Sequence, residues 1–311
     1  MLTIRRTDPG ELRRVLRLTL GAAGLTWAQL EKQVDAFQAY ARQMNLDLSN
    51  NWVAHNGPEW LSVATFIESP GRTAMVFLSG GFDDPRRREA TVQLLVEPRR
   101  FAEFRCVRFI QCLLDPSDRP PQALTRAGFT PLARLDYLDR ATSAPVGHAA
   151  RLPPGFEIRW TTYNPQTHSL FGEIILATYQ ESSDCRGLSG LRLVDEIMEG
   201  HKAATKFDPD WWLLLFDGLT PLGCLLLGEV PLRSAAEIVY MGLRPGARGR
   251  GLARILICKA LELARGRRLR SIALAVDAAN EPALRVYSHF GFRHTLSREA
   301  WICVLDPATK R

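Results

Sequence analysis

The chain has 311 residues, 46% of them apolar and 23% charged, an ordinary globular composition with length enough for two buried cores. Its 40 lysines and arginines against 33 acidic residues give a net charge of +7, which suits an anionic ligand. No apolar run approaches the length needed to span a bilayer, so no membrane partner is expected.

The 6 cysteines include no Cys-x-x-Cys pair and no histidine at zinc spacing, so no metal site is expected. Cys224, Cys258 and Cys303 lie in apolar runs and read as small core residues in a reduced, cytoplasmic setting. The stretch Met1–Arg14 is charged and carries no apolar signal core. Arginines are scattered apart from Arg86–Arg88 and Arg265–Arg270, with no platform of interleaved aromatic and basic residues. That pattern argues against nucleic acid as a partner.

In chain order, Glu11–Leu20 and Trp27–Met44 read as helices, and Trp60–Glu68 and Thr73–Ser79 as a strand pair. Val92–Pro98 is followed by a helix-like stretch, and Ala127-Gly128-Phe129 precedes a strand over Leu132–Leu138. Ala141–Gly155 is rich in Ala, Pro, Gly and Ser and lacks a period. It divides the chain into a domain at 1–140, a linker at 141–154 and a domain at 155–311.

The second half is more regular. Phe156–Trp160 reads as a strand, Gln166–Gln180 and Leu191–Glu199 as helices, and Trp211–Phe216 with Gly223–Val230 as a hairpin about Asp217-Gly218. Strand Glu237–Leu243, helix Leu252–Arg265, strand Ser271–Val276, helix Glu281–Phe290 and a strand around Ala300–Val304 follow. This order predicts an α/β fold in which a mixed sheet carries helices on its faces.

The turn Arg248-Gly249-Arg250-Gly251-Leu252-Ala253 is the most informative stretch. Gly249 and Gly251 remove side chains where backbone must approach a ligand closely. The helix that begins at Leu252 offers bare N–H groups and the positive end of its dipole, a ready phosphate site. Arg248 and Arg250 add charge-assisted donors. A Rossmann fingerprint needs glycine at 254, which is Arg, and a P-loop needs Lys-Ser/Thr where Leu252-Ala253 stands. Both fail.

On these residues the chain resembles a known family. Arg248, Gly251 and Ala253 match the Arg-x-x-Gly-x-Ala acyl-CoA pyrophosphate signature of the GNAT N-acetyltransferases. Asn280 to Tyr287, followed by Phe290-Gly291-Phe292, resembles the family's second cofactor motif, and Ala236 to Tyr240 resembles the fourth strand of its histone-acetylating branch. The resemblance covers roughly Phe156 to Leu305. It implies acetyl-CoA as co-substrate, with Met241, Leu243, Arg248, Gly249, Arg250, Gly251, Leu252, Ala253 and Asn280 in its site. Pantetheine would pair with strand backbone near Met241 and Leu243.

Acyl transfer needs a base for the amine and an acid for the leaving thiolate. Glu237 sits mid-strand between apolar neighbours, where desolvation raises a carboxyl pKa, and is the expected base; Glu229 is the fallback. Tyr287 is the expected acid. Ser182-Ser183-Asp184-Cys185 reads as a polar loop on the acceptor side, and Trp211 and Trp212 as core residues. His289 and His294 read as structural or solvated, not catalytic. The first half resembles a decayed copy of the second, giving two GNAT-like domains in tandem. Aligning Pro98 with Pro245 puts Phe101, Glu103, Phe104 and Cys106 at Arg248, Arg250, Gly251 and Ala253, so no CoA is expected there.

The expected function is direct transfer of an acetyl or short acyl group from acetyl-CoA to a small-molecule or peptide amine within a ternary complex. The alternative is a catalytically silent acyl-CoA-binding sensor or scaffold. A homodimer remains one open oligomeric state.

Overall fold

The computed structural model describes residues 1–21, 24–118, 121–145, 155–188, 190–230 and 233–305. The contacts divide the chain into two compact units, Met1–Leu132 with Arg298–Arg311, and Ala133–Ser297.

The elements of the first unit are β1 (Thr3–Arg6), α1 (Leu12–Leu20), α2 (Trp27–Gln43), β2 (Asn51–Asn56), β3 (Glu59–Ser69), β4 (Thr73–Leu78), α3 (Pro85–Leu94), α4 (Val96–Phe104), β5 (Phe109–Leu114) and α5 (Pro121–Arg126). Strands β1 to β4 pair antiparallel in order, and β4 pairs parallel with β5. Thr26 caps α2, and Asp84 caps α3 ahead of Pro85 at its first turn. Phe66, Leu94, Leu95, Ile110 and Phe129 fill the core.

Two long strands, β6 (Thr130–Ala141) and β12 (Arg293–Val304), contribute to both units. In the first unit, Glu299–Val304 of β12 pairs antiparallel with β5. In the second, Leu135–Ala141 of β6 pairs antiparallel with β11 (Ser271–Asp277). Each unit thus completes its sheet with the strand that closes the other half of the sequence. For this reason the contact division falls at Leu132/Ala133 and Ser297/Arg298, not in the segment 141–154. Most of that expected linker, residues 146–154, lies outside the described residues.

The second unit continues with β7 (Ile158–Thr162), α6 (His168–Tyr179), α7 (Val194–Ala203), β8 (Lys206–Asp217), β9 (Thr220–Val230), β10 (Ala235–Leu243), α8 (Leu252–Gly266) and α9 (Glu281–His289), the last following β11. Strands β7 to β10 pair antiparallel in order, and β10 pairs parallel with β11. Side chains alternate across such a sheet, and here both faces are buried. Trp211, Leu213 and Leu215 of β8 pack with Leu252, Leu256, Ala260 and Leu261 of α8. Trp212, Leu214 and Phe216 pack with Phe171, Ile174 and Ile175 of α6 and Met198 of α7. The mixed α/β order expected for this half is present, with β8, β9 and β12 longer than the sequence periodicity suggests.

The two units repeat one element order apart from the additional helix α4 in the first, which corrects the alignment of Pro98 with Pro245. Pro245 follows β10, whereas Pro98 is buried inside α4. The first unit's equivalent of the glycine turn lies between β4 and α3, at residues 79–84. There the Asp84 carboxylate accepts the Arg86 backbone N–H at 2.8 Å, so an acidic side chain already occupies the helix start. Among the described residues no helix is long and apolar enough to cross a membrane.

Candidate active site

The site begins where two strands part. β10 and β11 pair only at Ala235–Glu237 with Ser271–Ala273. Past that point Ile238–Leu243 and Leu274–Val276 line a groove of about 460 Å³. The register of β10 against β9 shifts between Ile238 and Tyr240, so Val239 is the extra residue of a bulge. A bulge leaves its extra residue outside the ladder and re-aims the strand. Val239 and Tyr240 consequently both pack toward the α6 and α7 side.

One end of the groove is the start of α8. Gly249 and Gly251 have φ of +72° and +79°, and nothing lies within 4 Å of a Cβ built on either. Gly251 is the N-cap of α8, and no side chain caps this helix. The first backbone N–H groups of a helix lack intrahelical partners, so this bare start can hold an anion. Leu252 and Ala253 line the groove beside it, as does Arg254 in the first turn.

The signature arginines behave differently from the expectation of two anion donors. Arg248 lines the groove, but its guanidinium donates to the carbonyls of Leu243, Thr178, Gln180 and Glu181 at 2.7–3.0 Å. It ties the end of α6 to the turn. Arg250 is exposed, lies over the Phe156 ring at 4.3 Å and is not part of the groove lining.

Met241, Leu243 and Asn280 also line the groove. The Asn280 side chain accepts the Ala283 backbone N–H at 3.3 Å, capping α9. Tyr287, on α9, lines the same wall and stands edge-on to Phe292. Burial raises its phenol above the ordinary tyrosine range.

Glu237 occupies the last paired position of β10. Its neighbours Ala236 and Ile238 pack toward α8, so by alternation its side chain points to the α6 and α7 face. It is not part of the groove lining. Burial raises its carboxyl to about 7, with Arg233 pulling weakly the other way. Glu229 is elsewhere, in a small pocket with Lys206 and Arg267, and so does not serve as a fallback in the groove.

A second cavity, of about 760 Å³, adjoins the groove and shares Glu181, Ser182, Asp184, Val239 and Tyr240 with it. Asp184 Oδ1 accepts the Asp277 N–H at 3.2 Å while Asp277 Oδ2 accepts the Cys185 N–H at 3.1 Å, which fixes the loop after α6 against β11. Burial raises the Asp184 carboxyl and pushes the Cys185 thiol up to about 12, leaving it a poor nucleophile. His201, which the sequence did not single out, lines this cavity. It shares a 3.1 Å hydrogen bond with the Tyr179 hydroxyl and stacks on Tyr240. Burial, with Arg192 nearby, pushes it down to about 3, so it stays neutral. His289 and His294 line neither space. Trp211 and Trp212 are core residues.

Residues 176–292, from α6 through α9, match the model of the Acetyltransferase (GNAT) family. A mycothiol acetyltransferase of Streptomyces scabiei is 25% identical over 288 residues, covering 92% of this chain and 79% of that protein. A solved tandem GNAT protein from the clavulanic acid biosynthesis pathway aligns over 100% of both chains, with a TM-score of 0.55 and 14% identity. The chain is thus similar to the GNAT acetyltransferases over the α6-to-α9 segment, and to tandem GNAT proteins in fold. Its two units are GNAT folds in tandem, and the groove and cavity lie in the second. A mycothiol acetyltransferase of Beutenbergia cavernae is 37% identical over 98 residues, 31% of this chain. The chain spans about a third, 33%, of that relative's length.

Proposed function

We propose that the protein transfers an acetyl or other short acyl group from acetyl-CoA to an amine, with both substrates bound together. The observation that carries this reading is the pair of adjoining spaces that meet at Asp184, Val239 and Tyr240. Direct transfer needs donor and acceptor side by side. One space ends on a bare helix start, and the other is walled by aromatic and polar side chains.

The residues suit the cofactor. Backbone N–H groups from Gly249 to Ala253 would hold the pyrophosphate, with Arg254 adding charge. The β10 edge at Met241 and Leu243 would pair with the pantetheine amides, and Asn280 faces the same groove. Acetyl-CoA, when bound, supplies the acyl group as an activated thioester.

The chain's own groups supply the rest. Tyr287, kept protonated by burial, is the acid at the leaving sulfur. The backbone at the Val239 bulge is set to polarise the acyl carbonyl. Glu237, titrating near neutrality on the α6 and α7 face, takes the amine proton through a water relay, since it lines neither the groove nor the cavity. The first unit, with Asp84 closing its own helix start, holds no CoA. A cytoplasmic setting without metal accompanies this reading.

The relatives' name makes mycothiol acetylation a second reading, favoured by the match that spans 92% of the chain. Release of free thiol from acetyl-CoA across a panel of amines tests the activity. Turnover is expected with at least one class. Tight CoA binding with no turnover across a broad panel would instead indicate a sensor.

A further inference from the structure

We infer that Asp184 is a further catalytic residue, which takes the proton left on the attacking nitrogen and returns it to Tyr287. This rests on the acyltransferase reading and completes its proton path. An ammonium sheds two protons on becoming an amide. Glu237 takes the first through water and frees the amine. The nitrogen then bonds to the acyl carbon with the second proton still on it, and Asp184 accepts that proton. The C–S bond breaks, and the sulfur leaves with the Tyr287 proton. Protonated Asp184 then gives its proton to the Tyr287 phenolate, so both side chains end as they began. The net proton leaves from Glu237.

Position singles out Asp184. Glu181, Ser182, Asp184, Val239 and Tyr240 line both the groove and the cavity, so they surround the place where nitrogen and acyl carbon would meet. The Tyr240 hydroxyl shares a 2.8 Å hydrogen bond with Thr178, and burial raises its phenol well above the ordinary range, so it is no base. Glu181 is exposed to solvent. The Ser182 hydroxyl accepts the Asp184 backbone N–H at 3.1 Å and carries no basic group. Asp184 is the partly buried carboxylate of this set. Glu237 lines neither space, and the neutral His201 lines the cavity alone.

Its surroundings suit a proton carrier. Asp184 Oδ1 accepts the Asp277 N–H while Asp277 Oδ2 accepts the Cys185 N–H, which holds the carboxylate still. The arginines here bond elsewhere: Arg186 donates to the Ser182 carbonyl and the Ser183 hydroxyl, and Arg248 to the carbonyls of Gln180 and Glu181. Among the described residues Asp184 forms no ion pair. Burial raises its carboxyl and the Asp277 carboxylate adds to this, although the Asp277 N–H pulls the other way. It thus takes up a proton more readily than an exposed aspartate. Its charge also reaches across the groove, because after burial Asp184 is the next cause that raises the Tyr287 phenol. A phenolate in that setting is strongly basic, so the proton passes downhill from carboxyl to phenolate.

The test uses the full chain with acetyl-CoA and a primary amine that the wild type acetylates. Asp184→Asn keeps an oxygen for the Asp277 N–H and removes the base. Its kcat should fall about 100-fold or more, while CoA affinity, acceptor KM and the thermal melt stay close to wild type. Formate should restore rate to Asp184→Ala, where it fits the vacated space, and none to Tyr287→Phe. Asp184→Asn combined with Tyr287→Phe should lose little more than the worse single variant, because the two act in one path. A kcat near wild type in Asp184→Asn would overturn the proposal. So would a loss carried only by KM or CoA affinity, which marks a structural latch. Losses that multiply in the double variant, or a failure of formate to rescue, would do the same. If neither Asp184 variant folds, carbon-13 NMR of labelled aspartate in the wild type decides: Asp184 should titrate above the ordinary aspartate range, and an ordinary titration overturns the proposal. Wild-type turnover that ignores Asp184 removes this residue alone; no turnover with any amine removes the transferase reading as well.

Discussion

Arg248 donates from Nη2 to the carbonyl oxygen of Gln180, the C-cap residue just past α6, at 2.7 Å. The last carbonyls of a helix have no intrahelical partners, and a cation there also complements the helix dipole. The same guanidinium holds Thr178, Glu181 and Leu243, so one side chain fastens the α6 end to the turn before α8. Both the groove and the cavity have walls on that joint.

Arg248→Ala should therefore act on both substrates at once. Loss of charge-assisted bonds of this kind costs about 2–3 kcal/mol, a drop of several degrees in Tm. CoA affinity should fall and acceptor KM should rise together. Arg248→Lys should recover little, because one ammonium cannot span four carbonyls. A thermal melt paired with calorimetry reads both effects; a loss confined to CoA binding would mean the side chain contacts the anion directly.

Tyr287→Phe keeps the aromatic packing on Phe292 and removes only the phenolic hydroxyl. General acid catalysis is worth on the order of 10²-fold or more, so kcat should fall by about that much. CoA affinity should barely change. Single-turnover kinetics beside a CoA titration separate the two, and a variant with wild-type kcat would remove Tyr287 from the mechanism.

The pH dependence follows from Glu237, whose carboxyl is held at about 7 against an ordinary value of 4.5. As a base it works when ionised, so kcat should rise as pH climbs through about 7, and Glu237→Gln should flatten that rise. Stability runs the other way. A folded-state pKa above the unfolded one stabilises fully below about 4.5, and that stabilisation is lost as pH rises through 7. Glu237→Gln should thus gain stability relative to wild type at pH 8 and show less variation between pH 5 and 8. Denaturant melts across that range check the sign.

In the first unit, Asp84→Ala removes the cap of α3 and should cost about 1 kcal/mol. CoA stoichiometry should stay at one per chain. A second CoA bound by this variant would show that Asp84 alone had closed the equivalent turn.

Much of the second unit was legible because its motifs are local. The two glycines of the turn, the Asn280 cap and the alternation along β8 to β10 all follow from near neighbours in sequence. Gly128-Phe129 correctly preceded a strand, β6, whereas the last strand, expected around Ala300–Val304, begins seven residues earlier at Arg293. What was missed depends on distant partners. Alternation tells which face a residue takes but not which strand it joins, so the exchange of β6 and β12 left no trace. Arg248 reads as an anion ligand until Gln180 is seen beside it. His201 and Arg192 gain meaning only when α7 packs next to Tyr179 and Tyr240. Helix α3 was hidden by its polar Arg86-Arg87-Arg88-Glu89 run, although Asp84-Pro85 was a readable start.

A calorimetric titration of CoA into wild type and Gly251→Glu reaches the central claim most directly. Gly251 adopts a left-handed φ with open space before it, so a glutamate there adds backbone strain of about 1–2 kcal/mol and places a carboxylate at the α8 start. Gly246→Ala, at an open position outside the groove, is the control. The account predicts one CoA per wild-type chain, the same for the control, and affinity at least 100-fold weaker in Gly251→Glu despite a folded melt. Equal affinity in all three proteins would contradict it, since the anion would then be held somewhere other than the start of α8.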